Sequence, residues 1–188
     1  MDVRVFRDDT LLAYSAALRS VYVDAFCAPP WNASTADADA FVDRLAVNVR
    51  RPGFTAALAF TGDTVVGFAT AWTTLAPFPT DRCYPQVAAG LGPDRTEEWL
   101  CGAREIDELA LGAEARGKGL AGELLEAVTA DAPEDRSWLL TSLQSERAMS
   151  FYRRQGWRQA THPSPGGNGI VVFLGPRHPA RHLTPQSL

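Results

Sequence analysis

Glu105, Asp107 and Glu108 put three carboxylates inside a span of four residues. Acids this close raise one another's pKa when partly buried, which suits a general base or a site for an ammonium group. In an extended segment Glu105 and Asp107 share a face with Leu109, and Glu108 takes the other, unless a bulge shifts the count. Pairing with Arg95 or Arg104 is the structural alternative for the same acids. Shortly after them comes Arg116-Gly117-Lys118-Gly119-Leu120-Ala121-Gly122. Its glycines let the backbone approach a ligand and take positive φ. A helix that starts here has first N–H groups without an internal partner, and with the helix dipole these make an anion site. Arg116 and Lys118 add positive charge, so the turn suits a pyrophosphate. A plain strand-to-helix loop would look much the same, because glycine motifs alone are weak evidence. It is not a Walker loop, since no Lys-Ser/Thr pair follows the spacing.

These residues need a strand, a break and a helix to hold them. Glu105 to Leu111 reads as the strand, and Gly112 to Ala115 as the break. Leu120, Leu124, Leu125 and Val128 then fall on one helical stripe. At these positions Arg116-x-x-Gly119-x-Ala121, after Leu109-Ala110-Leu111, resembles the acetyl-CoA-binding motif of the GNAT N-acetyltransferase superfamily. Downstream, Ser145-Glu146-Arg147-Ala148-Met149-Ser150-Phe151-Tyr152-Arg153-Arg154-Gln155-Gly156-Trp157 is similar to that family's late helix, which carries a Phe/Leu-Tyr pair and ends in Gly-Phe or Gly-Trp. A strand-like Ser137 to Thr141 lies between the two, and the resemblance covers residues 105 to 157.

The resemblance implies a single GNAT-like α+β domain over residues 1 to 174. Its sheet would be twisted, mixed but mainly antiparallel, of six to seven strands flanked by helices. It implies acetyl-CoA as co-substrate, no metal, and direct attack by a primary amine without a covalent enzyme intermediate. Arg116, Gly117, Lys118, Gly119, Leu120, Ala121 and Gly122 would hold the pyrophosphate. Leu109 would lend its N–H to the thioester oxygen, and the pantetheine arm would pair with Leu109, Ala110 and Leu111. The resemblance favours Glu105 as base, because members carry a working carboxylate four residues before the oxyanion residue. Asp107 comes second, and Glu108 stays open. Tyr152 is the candidate acid for the departing thiolate, its phenol having a pKa near 10. As a core residue beside Phe151 it would need no such role. Ser145 stands where the family often has Asn; it can cap the helix and bond the pantetheine with shorter reach.

The remaining elements follow from periodicity. Val3 to Phe6 reads as a strand, and a helix begins near residue 11 after cap candidates Asp8, Asp9 and Thr10. Tyr14 and Tyr22 on it read as core or cleft wall. A second helix is capped by Ser34 or Thr35 and buries Phe41, Leu45 and Val49. Phe54 to Phe60 and Thr64 to Trp72 make a hairpin around Thr61-Gly62-Asp63. Residues 73 to 103 read as an irregular segment, a lid over the acceptor site or a packed insertion. Trp157 to Ala160 and Gly169 to Leu174 close the sheet around the turn-rich residues 163 to 168. The tail from Gly175 reads as flexible; His178 and His182 have helical metal spacing, but Pro179 intervenes. His162, the one histidine before the tail, is not expected to contribute.

With 188 residues, 46% of them hydrophobic and 21% charged, the chain suits one well-buried domain. No apolar run reaches the roughly 20 residues of a bilayer span. The start, Met1-Asp2-Val3-Arg4, lacks a signal-peptide pattern. Cys27, Cys83 and Cys101 have no metal-like spacing and fit reduced thiols in a cytoplasmic protein. A net charge of −4 speaks against nucleic acid as the partner and fits a cationic acceptor. The acidic site points to a small-molecule amine: a cationic metabolite or an antibiotic. A protein N-acetyltransferase and a non-catalytic acyl-CoA-binding or sensing module are the alternatives, and a phosphate- or nucleotide-binding domain a third. A homodimer is expected only because family members often form one.

Overall fold

The computed structural model describes residues 2–29, 31–161 and 169–184. The chain divides into two compact units, each assembled from separate stretches of sequence. The first takes residues 1–72 and 106–130, the second residues 73–105 and 131–188. His162 and the turn expected at 163 to 168 lie outside the described residues.

In the first unit, strand β1 (Asp2–Phe6) pairs antiparallel with β2 (Thr55–Thr61), and β2 with β3 (Thr64–Thr73). Gly62, at φ 59°, makes the tight turn between β2 and β3. The helix expected from residue 11 starts later. Asp9–Tyr14 is a 3-10 turn capped by the Asp8 carboxylate, which accepts from the Thr10 N–H, and helix α1 spans Ser15–Phe26. Helix α2 (Thr35–Asn48) opens on a reciprocal cap: Ser34 Oγ accepts from the Asp37 N–H, and the Asp37 carboxylate accepts from the Ser34 N–H. Leu18 and Tyr22 of α1, Phe41 and Leu45 of α2, and Leu58, Phe68 and Trp72 of the hairpin form its core. The Phe41 ring stacks on Tyr22 and Phe68 at 4.8 and 5.2 Å. Strand alternation turns Ala57 and Ala59 to the opposite face, where helix α5 (Leu120–Thr129) packs on β2 through a buried stripe including Leu124 and Val128.

The second unit has its own core. Strand β5 (Ser137–Ser142) pairs antiparallel with β7 (Ile170–Leu174), and β7 with the two-residue β6 (Arg158–Gln159). The segment read as irregular folds into helix α3 (Tyr84–Leu91), a single turn α4 (Pro93–Arg95) and a π turn over Thr96–Leu100. These helices evade a sequence reading because they are short, lack side-chain caps and are broken at Gly92, which sits at φ 83°. Their residues Tyr84, Val87, Leu91, Trp99 and Leu100 pack with Trp138, Val172 and Leu174. The tail also differs from expectation. Pro179–Leu183 is a 3-10 turn held by His178, which is 1% exposed. Its Nδ1 accepts from the Ala180 N–H, so Nε2 carries the proton and donates to the Trp99 carbonyl at 2.9 Å. Both ring nitrogens are therefore engaged with backbone.

Helix α6 (Glu146–Arg154) owes its end to the Gly-Trp pair read from sequence. Gly156 lies at φ 80°; its N–H bonds the Arg153 carbonyl, and the Trp157 N–H bonds the Tyr152 carbonyl, both at 3.0 Å. This is a Schellman closure, with the Trp157 and Tyr152 rings in hydrophobic contact across it at 6.1 Å. Strand β4 (Arg104–Leu111) starts in the second unit and ends in the first. The strand order is β1-β2-β3-β4-β5-β7-β6, a seven-stranded mixed sheet, mostly antiparallel with one parallel pair.

Candidate active site

The glycine turn lies in the first unit and is built by backbone conformation. Leu111 ends β4, Ala113–Ala115 forms a 3-10 turn, and Gly119 is the N-cap of α5. Gly117 and Gly119 take φ of 77° and 84°, a left-handed region that costs an L side chain about 1–2 kcal/mol. No atom lies within 4 Å of where a Cβ would sit at either position, so the space beside both glycines is open. Gly119 supplies no side-chain cap, and the earliest hydrogen bond within the helix runs from the Gly122 N–H to the Gly119 carbonyl. The N–H groups of Leu120 and Ala121 come before it, as an anion cradle requires. Lys118 is exposed. Arg116 is engaged elsewhere: its Nη2 donates to the Asp24 carbonyl at the end of α1 (2.8 Å), and its Nε to the Leu111 carbonyl (3.4 Å). It braces the turn from behind, where a cation is favoured at a helix C-terminus.

The strand before the turn is pinned by close approach. A Cβ on Gly67 of β3 would lie 2.3 Å from Leu111 Cδ2 and 3.1 Å from the Ala110 carbonyl oxygen. The Gly112 N–H bonds the Val66 carbonyl at 2.9 Å. Ala110 is buried, while Leu109 and Leu111 are half-buried. Asp107 and Glu108, also half-buried, belong to this unit. They bear on Tyr22, whose phenol is pushed up to about 12, first by burial and then by the Glu108 charge, with smaller contributions that include Asp107. Tyr22 thus belongs to the core and also feels the charge of two candidate acids.

Glu105 belongs to the second unit and is 5% exposed. Tyr84 Oη donates to its Oε1 at 2.7 Å, and Thr74 Oγ1 to its Oε2 at 3.2 Å. Trp138 Nε1 in turn donates to Thr74 Oγ1 at 2.7 Å. The carboxylate is held by a buried chain of hydroxyl and indole donors. Sequence reasoning gave no site role to Thr74, Tyr84 or Trp138, because two of them sit in the segment read as irregular and nothing local ties any of them to the carboxylate. Of the two arginines considered as partners, Arg104 pairs with Asp131 at 3.0 Å, and Arg95 lies over the Trp99 ring.

Ser145 and Tyr152 share one face of α6, two turns apart. Ser145 occupies the N-cap position, but its side chain makes no cap hydrogen bond, contrary to expectation; its backbone sits at φ −93°, ψ 69°. Tyr152 is 9% exposed, with its ring against Phe151, Trp157 and Phe173. Among the described residues no cluster of side chains could hold a metal ion, and no helix is long and apolar enough to cross a membrane.

Residues 16–157 match the model of the Acetyltransferase (GNAT) family. The chain belongs to that family. This GNAT protein is accordingly an acyltransferase, and the match runs through both units. The same three glycines, at 117, 119 and 122, also satisfy the Gly-x-Gly-x-x-Gly spacing of dinucleotide turns, so it is the family match that separates the two readings. No curated protein sequence matches the chain. Solved structures show the same fold at low identity. An aminoglycoside 6'-acetyltransferase type Ii is similar at 16% identity and a TM-score of 0.59, covering 95% of this chain and 99% of its own. The PaiA N-acetyltransferase from Thermoplasma acidophilum, in complex with coenzyme A, is similar at 14% and 0.57, covering 93% and 99%. GphF, a GNAT-like decarboxylase in complex with isobutyryl-CoA, is similar at 17% and 0.59, covering 93% and 98%.

Proposed function

We propose that this GNAT protein moves the acetyl group of acetyl-CoA directly to a primary amine on a small cationic metabolite or antibiotic. The observation that carries the reading is the start of α5. Two left-handed glycines with open space beside them, an uncapped helix N-terminus and an exposed Lys118 suit a pyrophosphate. CoA-type ligands are bound in two of the similar structures, which supports the same ligand class here.

In this reading residues 116–122 hold the pyrophosphate and Arg116 stiffens their turn from behind. The pantetheine pairs with Leu109, Ala110 and Leu111, and the Leu109 N–H polarises the thioester carbonyl. The neutral amine attacks the carbonyl carbon, the oxyanion collapses and the C–S bond breaks. Glu105 removes the amine's surplus proton, and Tyr152 protonates the thiolate as it leaves. Ser145 bonds the arm. Thr74 and Tyr84 fix the direction of the Glu105 carboxylate, a preorganisation that suits a base. Asp107 and Glu108 compete for the base role, a reading favoured by their half-burial and their shared field on Tyr22. If Glu105 only positions the strand, they take the proton or anchor the acceptor's ammonium.

Calorimetric titration with acetyl-CoA, with ATP and NAD as controls, tests the cofactor. Micromolar acetyl-CoA binding without either nucleotide is expected, followed by CoA release when cationic amines are added. A folded sample that binds ATP or NAD as well as acetyl-CoA would overturn the reading.

A further inference from the structure

The second unit holds a cavity of about 280 Å³ lined by Arg153, Arg158, Arg181, Gln159, Trp157 and Thr184 among others. Its charge is one-sided: three guanidinium groups line it and no acid does. Like charges are not gathered without a cost, and among the described residues no acid offsets them. Among the described residues none of the three arginines forms an ion pair. Two are held by neutral acceptors. Arg153 Nη2 donates to Gln159 Oε1 at 2.9 Å, and Arg181 Nη1 to the Pro176 carbonyl at 2.7 Å. Arg158 is exposed on β6.

The Tyr152 and Arg153 carbonyls at the end of α6 are taken up by the Trp157 and Gly156 N–H groups. Gln159 is committed too: its Oε1 accepts from Arg153, and its Nε2 donates to the Thr161 carbonyl at 2.9 Å. Thr184 gives its hydroxyl proton to the Arg181 carbonyl. What remains to meet a guest is the outward edge of three guanidinium forks. That edge matches the paired oxygens of a phosphoryl group, which a guanidinium binds by two parallel hydrogen bonds.

We propose that this cavity is a binding site for a small phosphate-bearing ligand, built from Arg153, Arg158 and Arg181 and separate from the glycine turn. A cavity this size lies just under the usual range for small-molecule pockets and takes phosphate or a small phosphate monoester.

The test is calorimetry of the full chain at fixed ionic strength with inorganic phosphate, repeated with acetyl-CoA at saturation. Phosphate binding that persists under acetyl-CoA is expected, with chloride giving none. Arg153→Gln, Arg158→Gln and Arg181→Gln should each weaken it about tenfold or more, the scale of a charge-assisted hydrogen bond. Arg154→Gln, in the same helical turn but outside the lining, should leave it unchanged. Arg158 is exposed and among the described residues makes no side-chain hydrogen bond or ion pair, so its variant keeps the test readable. Equal phosphate affinity in wild type and Arg158→Gln, or loss of phosphate under acetyl-CoA, would overturn the proposal. The second outcome would place the anion on the glycine turn. If acetyl-CoA fails to bind at all, the arginine variants still decide the matter.

Discussion

Glu105 and Tyr152 are the two residues whose chemistry can be separated from their packing. Glu105→Gln keeps the size and an acceptor for Tyr84 or Thr74, and removes the capacity to take a proton. Turnover should fall 10²–10⁴-fold, the usual contribution of a general base, with the melting temperature nearly kept. Steady-state kinetics beside Asp107→Asn and Glu108→Gln identify the base as the variant whose acidic pH–rate limb, where activity falls on protonation of the carboxylate, disappears. Tyr152→Phe should lower kcat more than acetyl-CoA affinity, because its ring contacts survive the loss of the hydroxyl. Unchanged turnover across the pH range would remove it as the acid. Tyr22 gives a prediction with a sign. Burial and the Glu108 charge raise its folded pKa to about 12 from 10.0. Folding therefore favours the proton: this contribution to stability is complete below pH 10 and is lost as pH rises towards 12. Denaturant midpoints followed from pH 9 to 12 should fall accordingly, and Glu108→Gln should move Tyr22's ultraviolet titration to lower pH.

Elements carry these residues, and β4 does so under a tight constraint from β3. Gly67→Ala would press on the Leu111 side chain and the Ala110 carbonyl, so Leu111 must change its rotamer and the carbonyl give by a few tenths of an ångström. A loss of about 1–3 kcal/mol is expected, the cost of overpacking, together with weaker acetyl-CoA binding. Chemical denaturation and calorimetry on the same sample read both. At this scale the sequence was legible where a signal was local. The Ser34 cap, the Gly62 hairpin, the strand–turn–helix around Gly119 and the Gly156 helix end each declare themselves within a few residues. The helices at 84–100 do not, because their stability lies in contacts with Trp138, Val172 and Leu174, distant in sequence. The hydroxyl donors to Glu105 escaped notice for the same reason. The site motifs could be read, whereas what orients the carboxylate could not. Arg116 shows the same limit: its charge was visible, but not that Asp24 and Leu111 carbonyls occupy it.

Binding and pH act on the whole chain. A ligand that binds only the folded protein stabilises it by about 2.7 kcal/mol at a hundred times its Kd. For a chain of this length that is a rise of roughly 5–10 °C in melting temperature with acetyl-CoA, and Gly119→Glu should abolish it. A scan showing the same rise in the variant would remove the turn from the cofactor site. His178 sets an acid limit. Burial lowers its pKa below 6.5 against the opposing bond to the Trp99 carbonyl. Its contribution is present above pH 6.5 and is lost as pH falls through the lowered value, so amide exchange over residues 178–184 should quicken on acidification.

The two units are interleaved along the chain, which passes between them at residues 72–73, 105–106 and 130–131, the middle crossing inside β4. Neither unit is a contiguous gene segment, so neither can be cloned as a stand-alone fragment. A protein stopped after Ala130 would keep the glycine turn and lose Ser145 and Tyr152. A protein started at Asp131 would carry the arginine cavity but lack the stretch that supplies Thr74, Tyr84 and Trp99 to its core. Two such halves, each poorly folded alone, are candidates for reconstitution on mixing, and recovered acyl transfer would then report that they had met.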